Sequence, residues 1–432
     1  MPGNVVQTLR ERGFINTMDD GSEGITDPEL ERVASSQSLS CYAGFDPTST
    51  SLQVGNLLPV MALAHFQRHG HRPIVLVGGA TGMIGDPSGK VAERQLLTVE
   101  KVEANVRGMR AQLERLLDFG PGPSAAVVVN NADWLVPYRL IEFLRDVGKH
   151  FRIGEMLAKD SVRRRLDEGG GISFTEFSYM LLQSYDFLHL FDHYGCRTQL
   201  GGSDQWGNIT AGVDLIRRVR GQAAYGLVLP LLETTSGEKF GKSAGNAIYL
   251  DPSLVSPYEF YQFWVRTDDR DVERFLKLFT LLTLPEIREL AEAHQRTPER
   301  REAQKLLARE VTRIIHGEEE LRKAQRASEM LFGGEIDGLS DRELCAVFAD
   351  VPSTDLPRAR LDAGISLIDL LAETRLCPSR SEARRLIEAG GVYVNNRRQP
   401  DLTATISPRH LASESILVLR TGKRNYHLIR FR

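Results

Sequence analysis

Pro73-Ile74-Val75-Leu76-Val77-Gly78-Gly79 is an unbroken apolar run that stops at two glycines. A strand with no polar face is buried on both sides, the condition of a parallel sheet covered by helices. Working outward, Leu39–Phe45 reads as a strand, Leu57–His69 as a helix and Ala125–Asn130 as a further strand. Short β-rich runs alternate with helical patterns across residues 39–250. This alternation predicts an α/β domain with a doubly wound parallel sheet and a ligand at the carboxyl ends of its strands.

At 432 residues the chain is too long for one core, and two or three domains are expected. Hydrophobic residues make up 41% and charged residues 26%, a globular balance that argues against disorder. No apolar run approaches the roughly 20 residues of a spanning helix, so no membrane partner is expected. The N-terminal MPGNVVQTLRERGF lacks the apolar centre of a secretory signal. Cys41, Cys196, Cys345 and Cys377 are scattered without a CxxC pair. Neither a disulfide framework nor a zinc site is expected, and a reducing, cytoplasmic location fits.

Past residue 250 the pattern changes. Phe260, Phe263, Trp264, Phe275, Leu278, Leu281 and Leu282, then Leu306, Leu307, Val311, Ile314 and Ile315, suggest helical spacing. Pro352, Pro357 and alternating charges then mark a linker. In the tail, Ser379-Arg380-Ser381-Glu382 fits a capping box, and the helix it opens ends at Gly390-Gly391. Val392–Val394, Ile416–Leu419 and Tyr426–Ile429 read as strands. The domain plan is therefore 1–250, 251–350, a linker at 351–365, and 366–432. The tail holds 12 Lys/Arg against 6 Asp/Glu, although the whole chain carries a net charge of -3. A basic tail on an acidic body is either the footprint of a polyanion such as nucleic acid or a soluble surface.

Several motifs carry polar chemistry. Gly201-Gly202-Ser203-Asp204-Gln205-Trp206-Gly207-Asn208 sets an acid, an amide and glycines in one turn after an apolar stretch. Gly44-Phe45-Asp46-Pro47-Thr48 leaves the first strand, and Gln53-Val54-Gly55-Asn56 opens the next helix, whose free N–H groups favour anions. Gly79, Gly82 and Gly85 are spaced by three, which is not the dinucleotide fingerprint. Gly237-Glu238-Lys239-Phe240-Gly241-Lys242-Ser243 is one residue short of a P-loop, but its two lysines can neutralise phosphate. In the apolar helix Phe174–Phe191, Tyr179, Gln183 and Asp186 fall on one face. A polar line there is either a structural network or the floor of a polar site, and the neighbouring GGSDQW favours the site.

These stretches together resemble the bacterial tyrosyl-tRNA synthetases, a class I aminoacyl-tRNA synthetase family. The resemblance is carried in order by YAGFDPT (42–48), LVGGATGMIGDPSGK (76–90), FLRDVGKHF (143–151), GISFTEFSYMLLQSYDF (171–187), GGSDQWGNIT (201–210), KFGKS (239–243) and SPYEFYQFW (256–264). It implies a Rossmann-like catalytic domain, an α-helical domain and a small α+β S4-like RNA-binding domain. It also implies ATP with Mg2+ as substrate, no protein-ligated metal, and L-tyrosine, tRNA(Tyr) and a second copy of the chain as partners.

Residue by residue, the resemblance places Tyr42 and Asp186 on the substrate phenol, with Asn131 at that end. Asp86, Tyr179 and Gln183 surround the α-ammonium group, with Asp46 near it and the adenylate. Gln205 faces the carboxylate. Gly202 and Asp204 face the ribose, with Gly55 and Ser243 also at the nucleotide. Thr48, Gln53, Asn56, Lys90, Arg94, Lys239 and Lys242 would act on the phosphates. Lys159, Arg217 and Arg218 would meet the acceptor end of tRNA, and Arg380, Arg384, Lys423 and Arg424 its backbone. FLRDVGKHF lies where the family forms its dimer. One departure stands out: the signature His-x-Gly-His is here Gln53-Val54-Gly55-Asn56. Gln53 cannot carry charge, so activation slower than in a Gln53→His variant is expected. The tryptophanyl relatives, an RNA-binding protein that has lost activation, and a nucleotidyltransferase acting on another small acid are the rival readings.

Overall fold

The computed structural model describes residues 4–47, 49–86, 98–167, 171–235, 240–243, 246–330, 334, 336, 338–348, 351–422 and 425–432. The chain forms two compact units, Met1–Asp251 with Asp268–Ala303, and Pro252–Thr267 with Gln304–Arg432.

The first unit is built on a five-stranded parallel sheet. Its strands are β1 (Ser40–Phe45), β2 (Arg72–Val77), β3 (Val127–Asn130), β4 (Cys196–Gly202) and β5 (Tyr225–Leu229). Their order is β3-β2-β1-β4-β5, so the chain winds outward from β1 to one edge and then returns to its other side. The run that predicted a doubly buried strand is buried from Pro73 to Val77. Ile74, Leu76, Phe187, Leu190, Leu215 and Ile216 belong to one core cluster beneath the helices. The reversal between β1 and β4 leaves a crevice at their carboxyl ends, where open α/β sheets bind ligands.

Two long helices frame that crevice. The helix Phe174–Tyr194 starts at a reciprocal cap between Ser173 and Glu176 and stops where Gly195 turns left-handed, φ 62°. The helix Trp206–Arg220 packs against it. A hairpin of β6 (Lys242–Ser243) and β7 (Asn246–Ala247) follows the sheet.

The helical stretch expected as one domain over 251–350 divides. Helices Val272–Phe279 and Leu284–Arg296 belong to the first unit. Three contacts explain this. The buried Arg12 guanidinium donates to the carbonyl oxygens of Lys277 and Thr280, beside the end of the helix Val272–Phe279, where a cation offsets the helix dipole. Asp271 accepts from the N–H and hydroxyl of Thr235. Phe240 packs against Phe275 and Phe279 at 4.9 and 5.2 Å.

In the second unit the helix Pro257–Val265 and the long helix Glu302–Met330, kinked at Gly317, precede a mixed sheet. That sheet joins β8 (Ser353–Leu356), β10 (Val392–Val394), β11 (Arg397–Arg398), β13 (Ile416–Thr421) and β14 (Asn425–Phe431) in the order β11-β10-β13-β14-β8. A short pair of β9 (Ile365–Ser366) and β12 (Thr405–Ile406) lies beside it in sequence.

The expected linker is structured. β8 pairs parallel with β14, and the helix Arg358–Ala363 follows it. Pro352 and Pro357 flank this edge strand and leave its ladder intact, so they do not break it. Arg430 and Arg432 pair with Asp355 at 2.7 and 3.1 Å. The capping box at Ser379 is half formed: its hydroxyl accepts the Glu382 N–H, while the Glu382 carboxylate accepts from Arg385. Gly390 is left-handed, as its place at a helix end required.

Candidate active site

A cavity of about 680 Å³ opens at the carboxyl ends of β1, β2, β4 and β5. Its lining includes Tyr42, Asp46, Gly55, Asn56, Asp86, Tyr179, Gln183, Asp186, Gly202, Asp204 and Gln205. Eleven positions drawn from five separate stretches of sequence therefore meet in one space.

The inner end is buried and polar. Asp186 accepts from the Trp134 indole N–H at 2.7 Å and from the Asn131 amide at 2.9 Å. Asn131 is itself fixed, donating to Thr81 Oγ1 and accepting the Ala80 N–H. Asn131 is completely buried and holds the carboxylate from behind rather than facing the cavity. Burial raises the Asp186 carboxyl to about 7, and these two hydrogen bonds pull against that rise. Tyr42 is 1% exposed, and its hydroxyl has no hydrogen-bond partner among the described residues. Burial first, then the Asp186 charge, pushes its phenol well above the usual range, so it stays protonated. Across the β1–β4 pairing Tyr42 stands opposite Gln199, whose buried Oε1 is likewise unpartnered among the described residues. A buried donor and acceptor left unpaired cost free energy unless a ligand completes them.

The middle of the cavity is a network of amides and acids. Gln205 donates to Asp86 at 2.7 Å, and Asn208 donates to both Gln183 and Gln205 at 3.1 and 3.2 Å. Tyr179 donates to Asp46 at 3.3 Å. Burial, followed by the Asp46 and Asp86 charges, holds the Tyr179 phenol well above its ordinary range. Asp46, Asp86, Asp186, Asp204 and Glu233 all line the cavity, and no lysine or arginine does so among the described residues. This field suits an ammonium group.

At the outer end, backbone comes close. A Cβ on Gly202 would stand 2.5 Å from Asp204 Oδ1, so any larger residue there would push that carboxylate aside. A Cβ on Gly55 would meet nothing within 4 Å, which leaves room for a ligand at the start of the helix. Asn56 uses its Oδ1 to accept the Gln53 N–H at 2.9 Å, which leaves its amide nitrogen as the group it can offer. Gln53 is not among the lining residues. Thr48, Lys90, Arg94 and Lys239 lie outside the described residues. Lys242 and Ser243 are placed by their backbone on β6.

Residues 34–333 match the family model "tRNA synthetases class I (W and Y)", and residues 343–429 match the "Tyrosine--tRNA ligase SYY-like C-terminal domain". The chain belongs to the class I tyrosyl-tRNA synthetase family. It is 52% identical to the tyrosine–tRNA ligase of Roseiflexus castenholzii over 427 residues, 99% of either chain. It is 48% identical to that of Geobacillus stearothermophilus over 431 residues, 99% of this chain and 100% of the relative. Among solved structures, a C-terminally truncated mitochondrial tyrosyl-tRNA synthetase of Aspergillus nidulans is similar at a TM-score of 0.67 and 36% identity, covering 76% of this chain and 94% of that one. A tryptophanyl-tRNA synthetase of Encephalitozoon cuniculi, 14% identical at a TM-score of 0.53, shares the fold alone.

Within this synthetase three lining or supporting residues carry no role in the sequence-based assignment, and two of them gave no signal. Trp134 follows β3 at no recognisable motif. Gln199 sits in a strand that reads as core. Asn208 was visible, since a buried amide three residues after Gln205 shares its helix face. Of the basic residues expected at tRNA, Lys159 and Arg218 line one open cavity of about 450 Å³. Lys159 donates to Thr210, Arg218 pairs with Glu155 at 3.0 Å and Arg217 with Asp214. In the second unit Arg380 pairs with Asp369 at 2.7 Å and Arg384 is exposed, while Lys423 and Arg424 lie outside the described residues.

Proposed function

We propose that the chain is a tyrosine–tRNA ligase that reads its amino acid at the buried pair of Tyr42 and Asp186. A carboxylate oxygen of L-tyrosine attacks the α-phosphorus of ATP, and the bond to the leaving pyrophosphate breaks. The tyrosyl group of the adenylate then passes to a hydroxyl of the 3'-terminal adenosine of tRNA(Tyr), and AMP leaves. The buried Tyr42 hydroxyl, without a partner among the described residues and lining one cavity with Asp186, carries this reading. A substrate phenol donates its O–H to the carboxylate and accepts from Tyr42, which completes both groups. Phenylalanine would leave them unpaired in a dry site.

The remaining roles follow from position. Asp86, Tyr179 and Gln183 receive the ammonium group, with Asp46 beside Tyr179. Gln205, held between Asp86 and Asn208, faces the carboxylate. Gly202 and Asp204 take the ribose, and Gly55 and Asn56 the phosphates at the helix start. Lys90, Arg94, Lys239 and Lys242 supply the positive charge that the described lining lacks. No side chain forms a bond to substrate, so alignment and electrostatics lower the barrier. Mg2+ enters with the ATP phosphates and neutralises them when bound. The described residues hold no group of three or more His, Cys, Asp or Glu that would bind a metal by themselves.

Partners follow in the same way. The helix Leu140–Asp146 has no buried residue, yet Leu140 and Ile141 are 69% and 74% exposed. Val136, Leu144, Ile153 and Leu157 are exposed apolar residues of the same stretch of chain, and a second copy of the chain would cover such residues. Lys159, Arg217 and Arg218 meet the acceptor end of tRNA. The C-terminal module, with Arg380, Arg384, Lys423 and Arg424, binds its backbone as an S4-like domain. No helix among the described residues is long and apolar enough to cross a membrane, and the cytoplasm is the location this activity calls for.

Pyrophosphate exchange with tyrosine, phenylalanine and tryptophan in parallel tests the reading. Exchange with tyrosine alone is expected. Exchange with tryptophan instead, or with no amino acid in a folded protein, overturns it.

A further inference from the structure

Behind Asp186 the long helix carries two imidazoles that no step of the reaction uses. Asp186, His189 and His193 follow at i, i+3 and i+7 of the helix Phe174–Tyr194 and share a face. The His189 ring lies flat on the Trp134 indole, with centroids 4.2 Å apart and planes 14° from parallel. His193 covers the other side of His189 at 4.1 Å and 18°. Its Nδ1 lies 3.0 Å from the His189 carbonyl oxygen, which fixes the outer ring as well. Trp134 is buried, His189 half-buried and His193 exposed, so the stack runs from solvent inward to the indole. The indole N–H then completes the path to Asp186 Oδ1 at 2.7 Å. Burial and the neighbouring His193 bring the His189 imidazole down to about 4, so at neutral pH it is an uncharged flat ring.

We infer that His189 is a positioning residue for the recognition of tyrosine: by holding the plane of Trp134 it keeps the indole N–H on Asp186, and so keeps that carboxylate aimed at the substrate phenol. An indole has a single N–H and two rotatable side-chain bonds. A flat partner on its face restricts both, and the hydrogen bond to Asp186 keeps its geometry. Without that partner Asp186 shares its donor with a wider range of orientations. The inference rests on the reading of Asp186 as the phenol acceptor. His189 touches no substrate, so its effect belongs in KM for tyrosine and in discrimination against phenylalanine, not in kcat.

The experiment is pyrophosphate exchange on the full-length chain carrying His189→Ala, His189→Leu, His189→Phe, Trp134→Phe, and His189→Ala with Trp134→Phe together. His189→Ala and His189→Leu are expected to raise KM for tyrosine about 3- to 10-fold at unchanged kcat, the worth of one aromatic stack. His189→Phe restores a flat face and should return KM to within about two-fold of the parent. The double variant should be no worse than Trp134→Phe alone, because both changes act on one link.

An unchanged KM in the Ala and Leu variants, with Trp134→Phe impaired, overturns the role of His189 and leaves the reading of Asp186 standing. Repair by Leu as good as by Phe would reduce the effect to packing and overturn it too, as would additive losses in the double variant. If Asp186→Asn leaves the preference for tyrosine over phenylalanine unchanged, the phenol reading itself fails and the positioning role fails with it.

Discussion

At the inner end of the cavity Asp186 is fully buried and held by the Asn131 and Trp134 side chains, and the Tyr42 hydroxyl and Gln199 Oε1, which line the same cavity, have no hydrogen-bond partner among the described residues. At the outer end Gly55, Asn56, Gly202 and Asp204 offer open space, backbone and two short side chains, with no cation among the described lining residues. Under the proposed roles, the difference follows from what each end would bind. A neutral phenol is told from a bare ring by one hydroxyl, and that hydroxyl discriminates only where water cannot replace it. A triphosphate is gripped by charge and by close approach of N–H groups, which tolerate solvent.

The sharpest way to break this contrast is Asp186→Asn. The side chain keeps its size but loses its charge, and its amide would turn a donor toward the Asn131 donor. The preference for tyrosine over phenylalanine should fall about 10- to 100-fold, the worth of a hydrogen bond to a charged group. KM for ATP should stay within about two-fold, since the outer end is untouched. Parallel exchange assays with both amino acids measure it, and an equal loss for tyrosine and ATP would show that the two ends are not separate.

How much of this contrast the sequence disclosed differs between the ends. Tyr179, Gln183 and Asp186 were marked by their shared helix face, and Asp204 and Gln205 by their glycine-rich turn. The sheet was legible because Pro73–Val77 has no polar face. Trp134 and Gln199 were not legible, because their partners lie on other strands and helices, and only tertiary structure brings an indole N–H to Asp186. The linker over 351–365 misread proline: Pro352 and Pro357 bracket an edge strand that pairs with β14, far away in sequence. The division of the helical stretch was equally hidden, since Arg12 and Thr235 reach the helix Val272–Phe279 and its flanks through folding alone.

Acidity should separate the ends next. Folding raises the Asp186 carboxyl from 3.8 to about 7. The native state therefore holds the proton more tightly, so this group costs stability as pH rises from about 4 to about 7, and the deficit persists above 7. Tyrosine binding works the other way. In the proposed reading the substrate phenol donates to the ionised carboxylate, so affinity for tyrosine should weaken as pH falls through about 7, by up to about tenfold per unit below it. Phenylalanine, with no O–H to donate, should lack this dependence. Calorimetric titration of both amino acids from pH 5.5 to 8.5, on the order of one point per half unit, resolves the two curves; parallel curves would remove Asp186 from the recognition of the phenol.

The complementary break is at the mouth. Asp204→Ala removes the acid that Gly202 makes room for and should raise KM for ATP about 5- to 10-fold, with KM for tyrosine within about two-fold. Steady-state exchange at varied ATP measures it. A rise confined to tyrosine would place Asp204 with the amide network of Gln205 and Asp86 instead.

The smallest effect concerns Gln53. Its N–H donates to Asn56 Oδ1, and the neighbouring Val54 N–H donates to the carbonyl oxygen of Ile248 at 3.0 Å, so the backbone here is tied on two sides. Gln53 does not line the cavity, so whatever it contributes reaches the phosphates from their edge. Replacing it with histidine exchanges a neutral donor for one that can carry charge, and a charge-assisted hydrogen bond is roughly twice as strong as a neutral one. At the rim, solvent screens most of that gain. Gln53→His should speed single-turnover adenylate formation about 2- to 5-fold, more at pH 6 than at pH 8 because the imidazole is charged only in the acid range. If the rate rises equally at both pH values, charge is not the cause. If it does not rise at all, the outer end has no use for a cation at this position, and its charge comes from the four lysine and arginine positions assigned to it.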